Sequence, residues 1–437
     1  MRVPDLARRL LDRASGLRRD RFFRRLAALS GGVAAGQLFL ALSTPLLTRL
    51  YTPEDFGVFA VVIAILAMFN GVANLRLETS IPVCRAETLP AALAANFLAA
   101  AGTGFLLALG TAVAAPLLPP DVDPAIRDSL RLVPAIALLT ALAQPFIYLH
   151  VRRGEFRIYG LVRMARLVSQ GLGQIALGFT GLRHLGLTLG YGIGPLFALA
   201  LLLRHGAREL ASLRRVGLAD IRAYVREHWR HPLYLMPAAV LFEAVQFLPA
   251  VLLAAIFSPT AAGFFALSQR VLGLPVRFLS QSAGQVLLGE AAEVSGRELA
   301  RRVRRIARQF ALLGTAIILP MVLVGSSGWE FLFGEGWGKA WIFVLALSPM
   351  YGLRFVTETV ANMFIVTNTQ HFRFASSVAL MAITLFSFLT APSLGLGPVG
   401  ATALYSLGCS VIYAAQLLVI LSLSADRAKS ADPPGGR

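Results

Sequence analysis

Charge is scarce in this chain. Only 15% of its 437 residues are Asp, Glu, Lys or Arg, against roughly 25% in ordinary soluble domains. A soluble enzyme of this length needs a charged surface that this composition does not supply. Lysine occurs twice, at Lys339 and Lys429, and arginine carries the remaining positive charge, a bias that points to a high-GC bacterial genome. Cysteine is limited to Cys84 and Cys409. Two cysteines exclude a disulfide scaffold, and no CxxC or other metal-ligand spacing is present. His228 and His231, beside Glu227, read as a solvated helix face rather than a metal pair. The run Gly334-Glu-Gly-Trp-Gly-Lys339 lacks the GxxxxGK-S/T spacing and its following helix, which excludes a built-in ATPase. No cofactor is expected.

What the chain has in excess is apolar sequence. Hydrophobic residues make up 56% of it, in runs longer than the roughly 18 that argue for a membrane span. Twelve candidate spans follow, near 27–48, 57–77, 90–115, 130–150, 160–181, 185–203, 233–257, 262–288, 309–326, 340–366, 374–394 and 398–422. The reading is an all-α integral membrane protein. A net charge of +18 otherwise suggests nucleic acid, but its position excludes that partner. The cations fall in short links on alternate sides of the spans, 33 on one side and 5 on the other. By the positive-inside rule both termini face the cytoplasm of a multi-pass protein in the bacterial inner membrane. Residues 1–26 form a basic amphipathic segment, with Leu6, Leu10, Leu17 and Phe22 among nine arginines. A six-helix bundle at 27–203, a basic linker at 204–232, a second bundle at 233–422 and a tail at 423–437 complete the expected organisation.

The two bundles are related by a repeat. Residues 46–60 align without gaps on 252–266, with Leu46/Leu252, Leu47/Leu253, Pro53/Pro259, Gly57/Gly263, Phe59/Phe265 and Ala60/Ala266 identical. Each copy closes an odd-numbered span and opens the next. Because each half holds an even number of spans, the repeat is parallel, as in the halves of some secondary transporters. Two related bundles around a cleft give the architecture of alternating access.

These same residues carry a family resemblance. Leu50-Tyr-Thr-Pro-Glu-Asp-Phe-Gly57, followed by Leu75-Arg-Leu-Glu-Thr-Ser-Ile-Pro82, resembles the signature of bacterial polysaccharide flippases in the multidrug/oligosaccharidyl-lipid/polysaccharide exporter superfamily. Phe333-Gly-Glu-Gly-Trp-Gly-Lys-Ala340 resembles a loop of those proteins, and Arg270-Val-Leu-Gly-Leu-Pro275 an element of the related peptidoglycan-precursor flippases. Leu77 stands where the family has tyrosine. The resemblance implies a V-shaped pair of six-helix bundles. It implies a flippase that carries undecaprenyl-diphosphate-linked oligosaccharide (O-antigen, capsule or exopolysaccharide) from the inner to the outer leaflet. Expected partners are that glycolipid, membrane lipids, a coupling proton or sodium ion and other polysaccharide assembly proteins.

Ionisable residues inside spans are costly and mark function. Glu243, Arg270, Arg277, Arg354 and Glu358 qualify. On a straight helix, Glu243, Arg277 and Arg354 lie roughly 21 Å deep from the outer ends, Arg270 about 12 Å and Glu358 about 27 Å. Arg270 and Arg277, seven apart, share a face with Gly273, Gln281 and Gly284. Arginine keeps its charge when desolvated and offers a fork of donors to phosphate. Arg270, Arg277, Arg354 and Arg76 are therefore expected to line a cavity for the diphosphate. Glu243, Glu358 and Asn362 are candidates for ion coupling; Asn70, Asn74, Gln170, Gln174 and Gln246 are candidates for glycan contact or for interhelical hydrogen bonds. A bland alternative pairs Arg354 with Glu358 and Arg277 with Glu243. Three functions fit the class: a glycolipid flippase, a cation-coupled multidrug antiporter, and a membrane-embedded glycan polymerase or ligase. A flippase wants a basic cavity, an antiporter of cationic drugs an acidic one, and an enzyme a large outer loop. Arginines outnumber carboxylates in the spans three to two, and outer loops are about 15 residues at most, which favours the flippase.

Overall fold

The computed structural model describes residues 21–117, 123–293 and 296–430. Side chains are described throughout these ranges except at 21–30, 115, 207, 208, 215, 277, 289–296 and 426–430. Every regular element among the described residues is helical, as a bilayer demands of a chain whose backbone groups find no water to bond. All twelve expected spans are helices. In the first bundle they are Arg21–Leu50, Pro53–Val72, Leu89–Leu117, Val133–Arg152, Phe156–Gly178 and Arg183–Ser212. In the second they are Met236–Ile256, Pro259–Pro275 continuing through Val276–Ser280 into Gln281–Glu293, Gly296–Leu323, Ala340–Val360, Gln370–Thr390 and Pro398–Ser430. Most of the amphipathic segment expected at 1–26 lies outside the described residues.

Ten helical stretches are long and apolar enough to cross a membrane, and they account for every span but five and eight. Those two are the informative exceptions. Span five carries Arg163, Arg166, Gln170 and Gln174 along its length. Span eight is broken at Pro275, which ends a 17-residue helix and leads into a π-turn over Val276–Ser280. Polar content and a broken helix are tolerated at membrane depth where protein or a cavity covers them. The most apolar faces point outward instead: Phe105, Leu106 and Leu109 on span three and Leu312, Leu319 and Leu323 on span nine are exposed, the surface a lipid-facing helix presents.

Two helices run further than expected. Span nine begins at Gly296, so the arginines at 297–308 sit on its amphipathic first turns rather than in a loop. Span six continues to Ser212, taking up the start of the expected linker. The rest of the linker includes a helix, Leu218–Glu227. Its Tyr224 is buried among Leu77, Ile81 and Leu93 and shares a hydrogen bond with Ser80.

The repeat positions the two bundles. Thr52 and Ser258, aligned in the two copies, cap spans two and eight: each side chain accepts from the backbone N–H three residues on, at 3.2 Å from Asp55 and 3.1 Å from Ala261. This satisfies a helix-start donor that the bilayer would leave bare. Beyond the caps the copies touch. Gly57 lies against the Pro259 carbonyl and Gly263 against the Pro53 carbonyl, with no room for a Cβ at either. The contact is reciprocal, as a pseudo-two-fold axis requires. Around it Leu47, Tyr51 and Phe56 from the first bundle share one core with Leu253, Phe264, Phe265 and Trp337 from the second. Trp337 Nε1 donates to the Thr48 carbonyl at 2.7 Å, and Arg49 donates to the Phe331 carbonyl at 3.0 Å. The bundles are sealed together at this end.

Candidate functional site

Away from the seal the bundles part around a cavity of about 560 Å³. It runs from Phe56, Phe59 and Ala60 near the seal to Arg76, Glu78 and Tyr148 at the opposite end. Four arginines line it, Arg76, Arg163, Arg166 and Arg270, against two carboxylates, Glu78 and Glu243. Asn70, Gln170, Gln37, Gln144 and Gln269 add neutral donors and acceptors. Arg270 reaches across the cleft: its guanidinium donates to the Leu40 carbonyl of span one at 2.9 Å. Arg166 donates to the Tyr191 hydroxyl at 3.4 Å, and the Arg163 guanidinium lies 5.5 Å from the centre of the Tyr159 ring. A backbone carbonyl thus holds Arg270, a phenol Arg166 and a ring face Arg163.

Arg76 and Glu78 sit on a strained rim. Leu75 and Arg76 both adopt left-handed backbone, at φ 53° and 60°, which costs each about 1–3 kcal/mol and persists only where surroundings fix it. The surroundings do so. Thr103 donates to the Ala73 carbonyl at 2.6 Å, Thr79 to the Arg76 carbonyl at 2.7 Å, and Arg152 to the Ile81 and Cys84 carbonyls at 2.8 and 2.6 Å. Tyr224 of the linker helix closes the set through Ser80; burial pushes its phenol up to about 12, so it stays neutral. Glu78 is 4% exposed and pairs with Arg76 at 3.5 Å.

Glu78 lies beyond the end of span two, and burial lifts its carboxyl above the ordinary 4.5, with Arg76 partly opposing the rise. A carboxyl raised in the folded state holds its proton longer there than in the unfolded chain. Its contribution to stability is therefore present at acid pH and declines as pH rises from 4.5 through the raised value. Glu78→Gln removes that decline. The variant is expected to unfold at the same or a higher temperature than the parent at neutral pH, with a flatter pH dependence. Equal slopes for the two proteins between pH 4.5 and 7 would show that Glu78 is not the group responsible.

Not all of the residues singled out by sequence meet in this cavity. Arg76, Arg270, Glu243, Asn70 and Gln170 line it. Asn74 and Gln174 are buried and act as interhelical ties, Asn74 donating to the Asn96 carbonyl at 3.2 Å and Gln174 to the Leu187 carbonyl at 3.1 Å. Arg354, Glu358 and Gln246 line a separate cavity of about 50 Å³ inside the second bundle. Asn362 abuts Gly284 of span eight, which turns the expected Gly284 stripe toward span ten rather than the cleft. The pairing of Arg354 with Glu358 is not made: Glu358 pairs with Arg373 at 3.4 Å. The straight-helix spacing that put Arg277 on the face of Arg270 does not carry across the break at Pro275, and the Arg277 side chain lies outside the described residues.

Arg163 and Arg166 were missed. Both fall inside the span expected at 160–181, yet the charge count takes residues 150–166 as a cytoplasmic flank; the helix begins at Phe156. The available signal was periodicity. Arg163, Arg166, Gln170 and Gln174 recur at helical spacing on one face, a polar stripe that an ordinary flank does not continue into a span.

Residues 46–341 match the family profile described as polysaccharide biosynthesis protein. The chain belongs to this family. The matched region holds both copies of the repeat, the Arg76 rim and most of the central cavity. No curated protein matches the chain by sequence. Among solved structures, the fold of this family member is similar to that of the lipid II flippase MurJ in an inward closed conformation, at TM-score 0.64 and 12% identity, covering 93% of each chain. It is also similar to an inward-facing multidrug resistance MATE family transporter of the MOP superfamily, at TM-score 0.60 and 13% identity, over 91% of this chain and 96% of that one. The Vibrio cholerae MATE transporter VcmN, in a mutant form, gives TM-score 0.55 and 17% identity over 94% and 96%. The fold is that of a V-shaped, two-bundle alternating-access transporter, and the family member is a multi-pass membrane protein.

Proposed function

We propose that this protein is a flippase for oligosaccharides linked through diphosphate to a polyprenyl lipid, moving repeat units for O-antigen, capsule or exopolysaccharide from the inner to the outer leaflet of the bacterial cytoplasmic membrane. The observation that carries the reading is the charge of the central cavity, four arginines against two carboxylates. A diphosphate cannot cross hydrocarbon unless its lost water is replaced, and guanidinium groups replace it with paired, charge-assisted donors. Arg76 and Arg163 meet the headgroup near the mouth, Arg166 and Arg270 further in. Amides such as Asn70 and Gln170 serve the sugar hydroxyls, while the lipid tail stays in the bilayer between the bundles. A cavity for cationic drugs wants the opposite sign. The protein transports and does not catalyse.

In this reading the Arg76 end and both termini face the cytoplasm, as the 33-to-5 cation asymmetry indicates, and the sealed end faces outward. Glu243, which faces the cavity, exchanges the coupling proton or sodium ion; Glu358, paired with Arg373, does not. The test uses protein reconstituted in liposomes with a polyprenyl-diphosphate oligosaccharide in one leaflet and a glycan-cleaving enzyme added to the other side. Cleavage should depend on the protein, and its response to an imposed proton or sodium gradient should vanish in Glu243→Gln. Efflux of a cationic dye without glycolipid movement would assign the protein to drug antiport instead.

A further inference from the structure

The second bundle holds a cavity of its own, walled by spans seven, ten, eleven and twelve and separate from the cleft. Two guanidinium groups, Arg354 and Arg373, face a single carboxylate, Glu358. Glu358 is engaged by Arg373 at 3.4 Å. Arg354 makes no hydrogen bond or ion pair with any described residue. Its Nε is buried without a partner, and its guanidinium carbon lies 5.7 Å from the centre of the Tyr351 ring. A ring face attracts a cation but accepts no directed hydrogen bond from every N–H of the fork. An arginine in this position stays protonated, so the charge needs a counter-ion rather than the loss of a proton.

We propose that this cavity is a binding site for a small inorganic anion of the chloride class. The excess charge is positive, which repels sodium and divalent cations. Of the remaining polar lining, Gln246, Tyr413 and Gln416 can each donate to an anion, while the Ser377 hydroxyl donates to the Arg373 carbonyl at 3.1 Å. The volume of about 50 Å³ holds one small ion with a water beside it and excludes a diphosphate or a sugar. The site also bridges helices: an ion there would tie span ten, through Arg354, to span eleven, through Arg373, and to span twelve, through Tyr413. This cavity is distinct from the cleft of the proposed flippase, and its occupancy is read without transport.

Thermal unfolding of the purified protein in detergent tests it, with chloride titrated against gluconate at constant ionic strength. Chloride should raise the unfolding midpoint saturably, as a ligand of the folded state does, and bromide should substitute for it. Arg354→Gln should weaken half-saturation by about tenfold or more, as expected for loss of a charged hydrogen bond. Arg354→Lys should keep part of the response, while Arg270→Gln in the central cleft should leave it unchanged. If Arg354→Gln does not fold, Arg373→Gln, on a partly exposed residue, serves in its place. Absence of a saturable response in the parent protein overturns the proposal. So does a response that survives in both arginine variants, one lost in Arg270→Gln, or one given by inorganic phosphate and not by chloride.

Discussion

Cells relying on an Arg270→Ala variant are expected to lose export of the lipid-linked glycan by about a hundredfold while the protein persists in the membrane at near-parental levels. The magnitude follows from removing one partner of a desolvated, hydrogen-bonded charge pair, a loss of about 2–5 kcal/mol, where each 1.4 kcal/mol is tenfold. Arg270 has two roles that must be separated, because its guanidinium also bolts span eight to the Leu40 carbonyl of span one. Glutamine separates them. It keeps an N–H donor for the carbonyl but carries no charge for a diphosphate. If the bolt is what matters, Arg270→Gln restores export. If the headgroup is what matters, Gln fails as Ala does, and Lys rescues in part, since it keeps the charge without the bidentate fork. Accumulation of the glycolipid in the inner leaflet, read with an impermeant probe, reports the result. Full export from Arg270→Gln would remove this residue from the headgroup path.

The architecture was legible in the sequence because a bilayer leaves few choices. Long apolar runs must be helices, and all twelve are. The repeat gave the number of bundles and their parallel relation, since Pro53 and Pro259 each had to start a helix and Gly57 and Gly263 each had to sit one turn later. What it did not give is that the two copies meet. Identity of sequence says two segments are alike; only packing says they touch. The candidate site was half legible for a related reason. Counting residues along a helix gives a depth, and Glu243 and Arg270, picked out as charges inside spans, both line the central cavity. Depth carries no azimuth. Arg354, counted to the same depth as Glu243, lines the cavity of the second bundle instead, and Gln174 turns toward Leu187. The π-turn after Pro275 defeats the count altogether for residues beyond it. The charge-count rule failed at Arg163 and Arg166 because it treats every cation near an inner helix end as a flank. These two are on the helix, facing the cleft.

The seal between the repeat copies gives the second large effect. In a transporter of this fold, the end closed here must open for substrate to leave, so the energy of the Gly57–Pro259 and Gly263–Pro53 contacts sets how much of the time it is shut. Neither glycine has room for a methyl group against the facing carbonyl. Backbone cannot yield as a side-chain tip does, so Gly57→Ala forces the helices apart. Overpacking costs about 1–3 kcal/mol at each site, and the cost falls on the sealed state alone. The two contacts are related by the pseudo-two-fold axis, so Gly263→Ala should act like Gly57→Ala, and the pair together should shift the equilibrium toward the open end by at least about tenfold. A cysteine at Ala60, which lines the cavity just inside the seal, reads the shift. In the parent it should react slowly with an impermeant maleimide added from outside, and in the double variant at least about ten times faster. The same reagent reads sidedness, since reaction from the cytoplasmic side should not accelerate. In the proposed orientation export should fall with the seal, because a cleft that stays open outward would no longer present Arg76 and Arg163 to the inner leaflet. Labelling that stays at the parental rate in a folded double variant would mean that the repeat contact is not the gate.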